Sequence, residues 1–422
     1  MQTFAINTLG CKVNQYESQQ IIQFLTDCKL LYVQRFESAE IIIIHTCCVT
    51  KTASAKSRQL VNKAQKLNPN AKIIVSGCLL NSEPKEFESL KDKALFASNI
   101  NELFELLKKE LNLSNPLPIK GLQKFCGQTR AFLKVQDGCD GYCSYCIIPT
   151  TRPNITFKPV EQIITETQDL VKSGHKEIIL TGIFLGAYGQ NTVKRKNWPD
   201  NENPLLAEML EEVAQVPDLK RIRLSSLEPA DVTSRLLEVM KNYPNIMPHL
   251  HLSLQSGSDK ILKKMNRQYT VKDFLNSIEN INLQLDRPAI TTDVIVGFPG
   301  ETMQDFAQSL SIAKLAGFSK IHIFPFSKRV GTAAEKLQDQ TSKEVITERT
   351  KQLHELEKQL AQNFRKQFIG QTVQVLIEDE VKNCGKCERY YEIIVKTDAT
   401  LPKGEIVKCI INSDAVTATI EV

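Results

Sequence analysis

No apolar run in this chain approaches the ~20 residues needed to span a bilayer, and the run Ile41–Ile44 is a buried-strand signal. The first residues, Met-Gln-Thr-Phe-Ala-Ile-Asn, carry neither a basic leader nor a long apolar stretch, so no secretory signal is expected. Strong charge of either sign is missing as well. A net charge of +5 permits a nucleic-acid partner without demanding one. Histidine is scarce, with six residues and none between His45 and His175. These absences exclude a membrane-spanning protein and point to the cytoplasm. What remains is an ordinary globular composition, 42% apolar and 24% charged, in 422 residues, enough for two or three domains with cores of their own. Against it stand twelve cysteines, which in a reducing compartment read as thiols and metal ligands rather than disulfides.

Three of them, Cys139, Cys143 and Cys146, form a C-x3-C-x2-C run. Three thiolates this close can hold three irons of a [4Fe–4S] cluster and leave the fourth iron open for chemistry. The alternative, a zinc knuckle, wants a fourth Cys or His at short spacing. No histidine is near enough to supply it.

The first hundred residues alternate strand and helix signals: Thr3–Leu9, Glu40–Ile44 and Lys72–Val75 as strands, Asn14–Leu25 and Thr50–Leu67 as helices. Such alternation predicts a parallel, doubly wound sheet. Cys11, Cys47 and Cys78 each lie just past the carboxyl end of a predicted strand, the edge where open α/β sheets place ligands. They can converge on one metal site, or each can be a small buried apolar residue. Cys48 should point elsewhere, and Cys28 belongs to the core.

From Arg130 to about Thr332 the strand–helix rhythm repeats six times, with strands at Ala131–Val135, Glu177–Thr181, Arg221–Ser225, Leu250–Leu254, Thr292–Val296 and Ile321–Phe324. Six units are too few for a closed eightfold barrel and suit an open partial one, whose site lies at the strand carboxyl ends. Loops at those ends carry Thr181-Gly182, Glu228, Gln255 and the run Gly297–Thr302; each alone is a plausible turn. Arg223 and Arg267 could hold a carboxylate or phosphate, or make surface salt bridges. His249 and His251 share one strand face and read as packing or polar-face residues.

Ser342–Phe364 reads as an amphipathic connecting helix. Short strands then follow, at Thr372–Ile377, Tyr390–Val395, Ile406–Ile411 and Ala415–Ile420, suggesting a small antiparallel barrel. Residues 365–422 hold eight Lys/Arg against nine Asp/Glu, a weak footprint for RNA. Lys51, Lys56, Arg58, Lys63 and Lys66, and the loop Lys194-Arg195-Lys196, are better basic candidates, or simply solvated faces. Cys384 and Cys387, with Cys409, fall one ligand short of a zinc site.

The cysteine run, with Tyr145 before its last member, resembles the cluster loop of radical S-adenosylmethionine (SAM) enzymes. The words Thr8-Leu-Gly-Cys-Lys-Val-Asn14, Thr46-Cys-Cys-Val-Thr50 and Ser76-Gly-Cys78 resemble the N-terminal domain of methylthiotransferases, a family within them, and the likeness runs through essentially the whole chain. The resemblance implies an α/β architecture of three parts: an N-terminal domain over 1–115, a partial (β/α)6 radical SAM domain over 125–362, and a TRAM-like RNA-binding barrel over 365–422. It implies SAM and two [4Fe–4S] clusters, one on Cys139, Cys143 and Cys146 and an auxiliary one on Cys11, Cys47 and Cys78 that delivers sulfur. By the same likeness Tyr145, Thr181 and Gly182 belong to the SAM site, and Glu228 and Gln255 to ribose or substrate contacts. Expected partners are a tRNA anticodon loop and an electron donor.

The stretch Leu9–Asn14 looks most like the subtype acting on threonylcarbamoyladenosine at tRNA position 37, where an unpaired loop base is accessible. The family's other substrates, isopentenyladenosine in tRNA and a ribosomal-protein aspartate, compete with that reading. So does a non-enzymatic iron–sulfur RNA-binding or carrier protein. Three positions depart from the family pattern: His45, Leu79-Leu80, and the run Thr150-Thr-Arg-Pro-Asn-Ile155.

Overall fold

The computed structural model describes residues 1–82, 93–112, 121–194 and 203–421. The N-terminal sheet is parallel throughout. Its strands are β1 (Thr3–Thr8), β2 (Leu31–Tyr32), β3 (Ile41–Thr46), β4 (Lys72–Gly77) and β5 (Leu95–Ala97), in the order β2-β1-β3-β4-β5. Four consecutive isoleucines make β3 the buried centre, since a parallel strand is covered on both faces. Ile21 and Leu25 of helix Lys12–Asp27 pack one face together with Leu103 and Phe104, while Val61 and Ala64 of helix Lys51–Leu67 pack the other. The short edge strands β2 and β5 carry too little periodicity to be read from sequence.

Next come β6 (Ala131–Lys134) and the short hairpin strands β7 (Gln136–Asp137) and β8 (Thr156–Phe157), then β9 (Glu177–Thr181), β10 (Arg221–Leu224), β11 (His249–His251), β12 (Ala289–Val296) and β13 (Lys320–Pro325). Two parallel three-stranded sheets, β10-β9-β6 and β11-β12-β13, are joined by single bridges at Ile222–Ile246 and Leu227–Leu252. The result is the expected open arc of six strands. The fourth strand differs from the expected Leu250–Leu254: only His249–His251 lies in the ladder, and beyond it Leu252 and Gln255 make isolated bridges.

Helix Lys343–Lys366 leads to a closed barrel of β14 (Thr372–Asp379), β15 (Cys384–Cys387), β16 (Glu392–Lys396), β17 (Ile406–Ile411) and β18 (Thr417–Ile420). One pair, β16–β18, is parallel; the others are antiparallel. Val373, Val375, Ile393, Val395, Cys387 and Cys409 fill its core, so these cysteines serve as packing. The barrel is seated on the amino ends of the arc's strands. Arg221 donates to the carbonyls of Lys386 (3.0 Å) and Gln374 (2.7 Å), and Arg130 donates to the Tyr390 hydroxyl (3.0 Å). No helix is long and apolar enough to cross a membrane among the described residues.

Candidate functional site

The cluster loop hangs between β7 and the short helix Ile148–Thr151. Its start needs a glycine: Gly138 has φ +79°, and a Cβ there would lie 1.9 Å from the Asn154 carbonyl oxygen. The loop is clamped from across the arc, with Ser144 N donating to Met265 O (2.9 Å) and Asn266 Nδ2 to Tyr142 O (2.8 Å). Cys139, Cys143 and Cys146 all line one cavity of about 340 Å³, together with Tyr145, Glu228 and Arg267. Burial pushes the Cys139 thiol up to about 11 and the Cys146 thiol up to about 12. Such thiols stay protonated unless a metal displaces the proton, as coordination does. Three of them around one opening, with a roomy free side, fit a cubane held at three corners.

Arg267 is buried in this wall. It donates to Cys143 Sγ (3.2 Å), to the Tyr269 hydroxyl (3.2 Å) and to Glu228. Thr181 and Gly182 end β9 one step back from the cavity. A Cβ on Gly182 would meet Gln136 Oε1 at 2.8 Å, while the following Ile183 and Phe184 reach the lining. Gln255 takes φ +63°, its amide donates to Asp293 O (2.8 Å), and Ser253 of the same segment faces the cavity. Arg223 differs from the expectation of a substrate contact. Its guanidinium is spent on Glu177 (2.8 Å) and on the barrel carbonyls of Cys387 (2.7 Å) and Glu388 (2.8 Å), which makes it a strut between domains.

The second set of thiols comes from adjacent parallel strands. Cys11 caps the helix after β1, Cys47 follows β3 and Cys78 opens the helix after β4. Close approach is built in at Gly10, φ +115°, where a Cβ would lie 3.1 Å from Cys47 Sγ. The three thiols are close enough that the Cys11 proton is held on by the charges of Cys78 and Cys47, after burial. Cys78 goes the other way, down to about 6, through a hydrogen bond from the Cys48 thiol and the nearby Arg152 guanidinium. Cys48 therefore does not point elsewhere, as its sequence neighbourhood suggested; it backs Cys78. Among the described residues no three Cys, His, Asp or Glu side chains close on a single metal ion.

Arg152 ties the two sites together, and sequence reading missed it. Its carbonyl accepts from Cys139 N (3.0 Å), and its Nε lies 3.4 Å from Cys78 Sγ. The remaining guanidinium donors reach Glu17 (2.7 and 2.8 Å), Asp137 (2.9 Å) and Asn14 (3.1 Å). Burial would raise the Glu17 carboxyl, but Lys134 (2.8 Å) and Arg152 hold it well below the usual carboxylate range. His45, an unusual residue at its position, lies with Nε2 3.3 Å from Glu17 Oε2.

Beside Cys11 and Lys12 the arc holds a cavity of about 440 Å³ that shares Ser226 with the first cavity. His249 and His251 both meet Thr291 Oγ1 (3.2 and 2.9 Å), and the His322 ring stands 5.6 Å from His251. Tyr390 of the barrel stacks on His249 at 4.5 Å and floors the cavity. Of the basic candidates, Lys51, Lys56, Lys63 and Lys66 are exposed along one helix, whereas Arg195 and Lys196 lie outside the described residues.

Comparison with known proteins follows the same division. The model of the radical SAM superfamily matches residues 133–313, and that of uncharacterized protein family UPF0004 matches residues 3–97. The chain is 41% identical to the threonylcarbamoyladenosine tRNA methylthiotransferase MtaB of Chlamydia pneumoniae, over 89% of this chain and 87% of that one. It is 32% identical to the tRNA-2-methylthio-N(6)-dimethylallyladenosine synthase of Thermoanaerobacter sp., over 89% and 82%. Among solved structures, the radical S-adenosylmethionine methyltransferase TsrM of Kitasatospora setae aligns with a TM-score of 0.56 at 12% identity, over 77% of this chain and 75% of that one, a likeness of fold alone.

Proposed function

The chain belongs to the radical SAM methylthiotransferase family, and on that premise we propose that it converts threonylcarbamoyladenosine at position 37 of tRNA to its 2-methylthio derivative. The observation that carries the mechanism is the nearness of the two thiol triads, with Cys78 and Cys139 both bonded to Arg152 and Cys11 lining the lumen. The preference for this nucleoside over dimethylallyladenosine is supported by the higher identity, 41% against 32%, to the relative named for it.

Cys139, Cys143 and Cys146 would hold the SAM-binding [4Fe–4S] cluster, and Cys11, Cys47 and Cys78 an auxiliary one. When bound, these groups supply reductive SAM cleavage, to remove hydrogen from an unreactive aromatic carbon, and the sulfur that replaces it. The chain's own residues arrange the meeting. Arg267 neutralises Glu228 at the cavity wall, where the carboxylate would meet a ribose or substrate hydroxyl. Tyr145 lines the same wall, its hydroxyl 3.5 Å from Arg267 Nη1, while Thr181, Gly182 and Gln255 shape the backbone around the cavity. Residues 1–115, 125–362 and 365–422 then divide the work into sulfur delivery, radical generation and tRNA binding. The setting is the cytoplasm, with an electron donor as partner.

Nucleoside mass spectrometry of tRNA from a deletion strain tests this. Loss of 2-methylthio-threonylcarbamoyladenosine alone is expected. Its persistence, or loss of the isopentenyl derivative or of ribosomal-protein methylthioaspartate instead, overturns the assignment. Reconstituted protein that forms no 5′-deoxyadenosine under reduction with tRNA present would leave only a carrier role.

A further inference from the structure

The lumen cavity is more polar than a hydrocarbon ligand would tolerate. Alternation along the strands puts His249 and His251 of β11, and Thr291 and Asp293 of β12, on its wall, with His322 from β13 and Ser225 from the end of β10. His249 is 5% exposed and Ser225 7%, yet His249 Nδ1 and Ser225 Oγ have no hydrogen-bond partner among the described residues. His251 Nε2 lies 3.3 Å from Asp293 Oδ2, an ion-pair distance without hydrogen-bond alignment. An unsatisfied buried polar atom costs about 1–3 kcal/mol, and three of them lie on residues of this one cavity wall, where a small side-chain rotation would bring them to a polar occupant.

The charges are unevenly spent. Arg223 is paired with Glu177, and Arg130 with Glu378. Lys12, at the cavity's upper edge, makes no ion pair among the described residues. Its influence reaches the floor: burial would raise the Tyr390 phenol, but Arg130, Lys12 and Arg223 draw it below its ordinary value. Burial lowers the pKa of His249 and of His322, helped at His249 by Arg223, His251 and Lys12 and at His322 by His251, Lys320 and Lys12 against Asp293. The lumen therefore offers one free ammonium, the Asp293 carboxylate and several neutral groups able to donate or accept.

We propose that this cavity is the specificity pocket for the N6 substituent of the substrate adenosine, and that it takes a threonyl group through its free carboxylate and hydroxyl. This deepens, and rests on, the functional reading above. Lys12 meets the carboxylate. Asp293 accepts from the hydroxyl or the carbamoyl N–H, and Ser225 and His249 complete the set. The base then sits at the shared Ser226, between the two triads. A volume of about 440 Å³ is ample for such a substituent. A prenyl group in the same place would strand Lys12, Asp293, Ser225 and His249 without partners, and sites built to hydrogen-bond reject such analogues strongly.

The test uses the reconstituted holoenzyme and synthetic anticodon stem-loops carrying threonylcarbamoyladenosine, its threonyl methyl ester, isopentenyladenosine or plain adenosine. Affinity is read by fluorescence anisotropy, and product by mass spectrometry. The wild type is expected to bind the free acid at least about tenfold more tightly than the ester or the plain loop. In K12M and S225A the preference for the acid over plain adenosine collapses; as a ratio within one variant, it is insensitive to partial misfolding. Equal binding of acid and ester by the wild type, or a preference left intact in both variants, overturns the pocket assignment while the function stands. Methylthiolation of the isopentenyl loop in place of the threonylcarbamoyl one would overturn the functional reading itself.

Discussion

Arg152 spends its guanidinium on Glu17, Asp137, Asn14 and Cys78 while its carbonyl holds Cys139, so one side chain sets the distance between the two triads. Removing it leaves Glu17 buried with Lys134 as its remaining close cation, and breaking a buried pair costs about 3–5 kcal/mol. Arg152→Met is expected to lower the urea midpoint accordingly. The pH dependence follows from the depressed Glu17 pKa. Its contribution is fully present above the unfolded value near 4.5 and is lost as pH falls through the folded value. In R152M the folded value rises, so acid destabilisation begins at higher pH than in the wild type; unfolding curves between pH 6 and 3 check this. Cys78→Ser should cut iron from about eight to about four per chain, since two cubanes hold four each. Unchanged iron would remove Cys78 from the ligand set. That Cys139, Cys143 and Cys146 share one loop, and Cys11, Cys47 and Cys78 one sheet edge, was legible from spacing and strand ends, whereas their assignment as cluster ligands comes from the family resemblance. Arg152, Glu17 and His45 were not, because a pairing across 135 residues leaves no local pattern.

At the scale of elements, the cluster loop depends on a turn that only glycine makes. Gly138→Ala drives a methyl into the Asn154 carbonyl and shifts the strand that brackets the cysteines. A displacement near 1 Å at a reacting centre costs about 100-fold, and SAM cleavage by the reconstituted variant should fall by that order. Thr50 caps helix Lys51–Leu67 by accepting from Ala53 N, and Thr50→Ala should cost about 1 kcal/mol in thermal unfolding. Long strands and helices were legible because alternation and helical spacing repeat several times in each. The two-residue strands β2 and β7 were not, because two residues carry no period. Period two put His249 and His251 on one face, but that the face lines a lumen, with His322 opposite, emerges only from the arc.

For the whole molecule, the C-terminal barrel is a structural partner of the arc as well as a module in sequence. A chain ending at residue 370 loses the carbonyl acceptors of Arg221 and Arg223, leaving two buried guanidinium groups short of partners over Glu177. Its remaining domains should melt several degrees lower and be cut faster by protease than the same domains in the full chain. A simple appendage would leave both unchanged. Sequence reading found the barrel by its strands yet missed this seat, since the docking is carried by main-chain carbonyls that leave no mark in residue identity.

Tyr390, lent by that barrel, stoppers the arc at its amino end. With the ring in that place, an occupant that enters from the carboxyl side would leave the same way, and a deeply seated one would wait for whatever has settled above it. The order of departure is then set by depth in a blind alley rather than by which ligand is held most weakly.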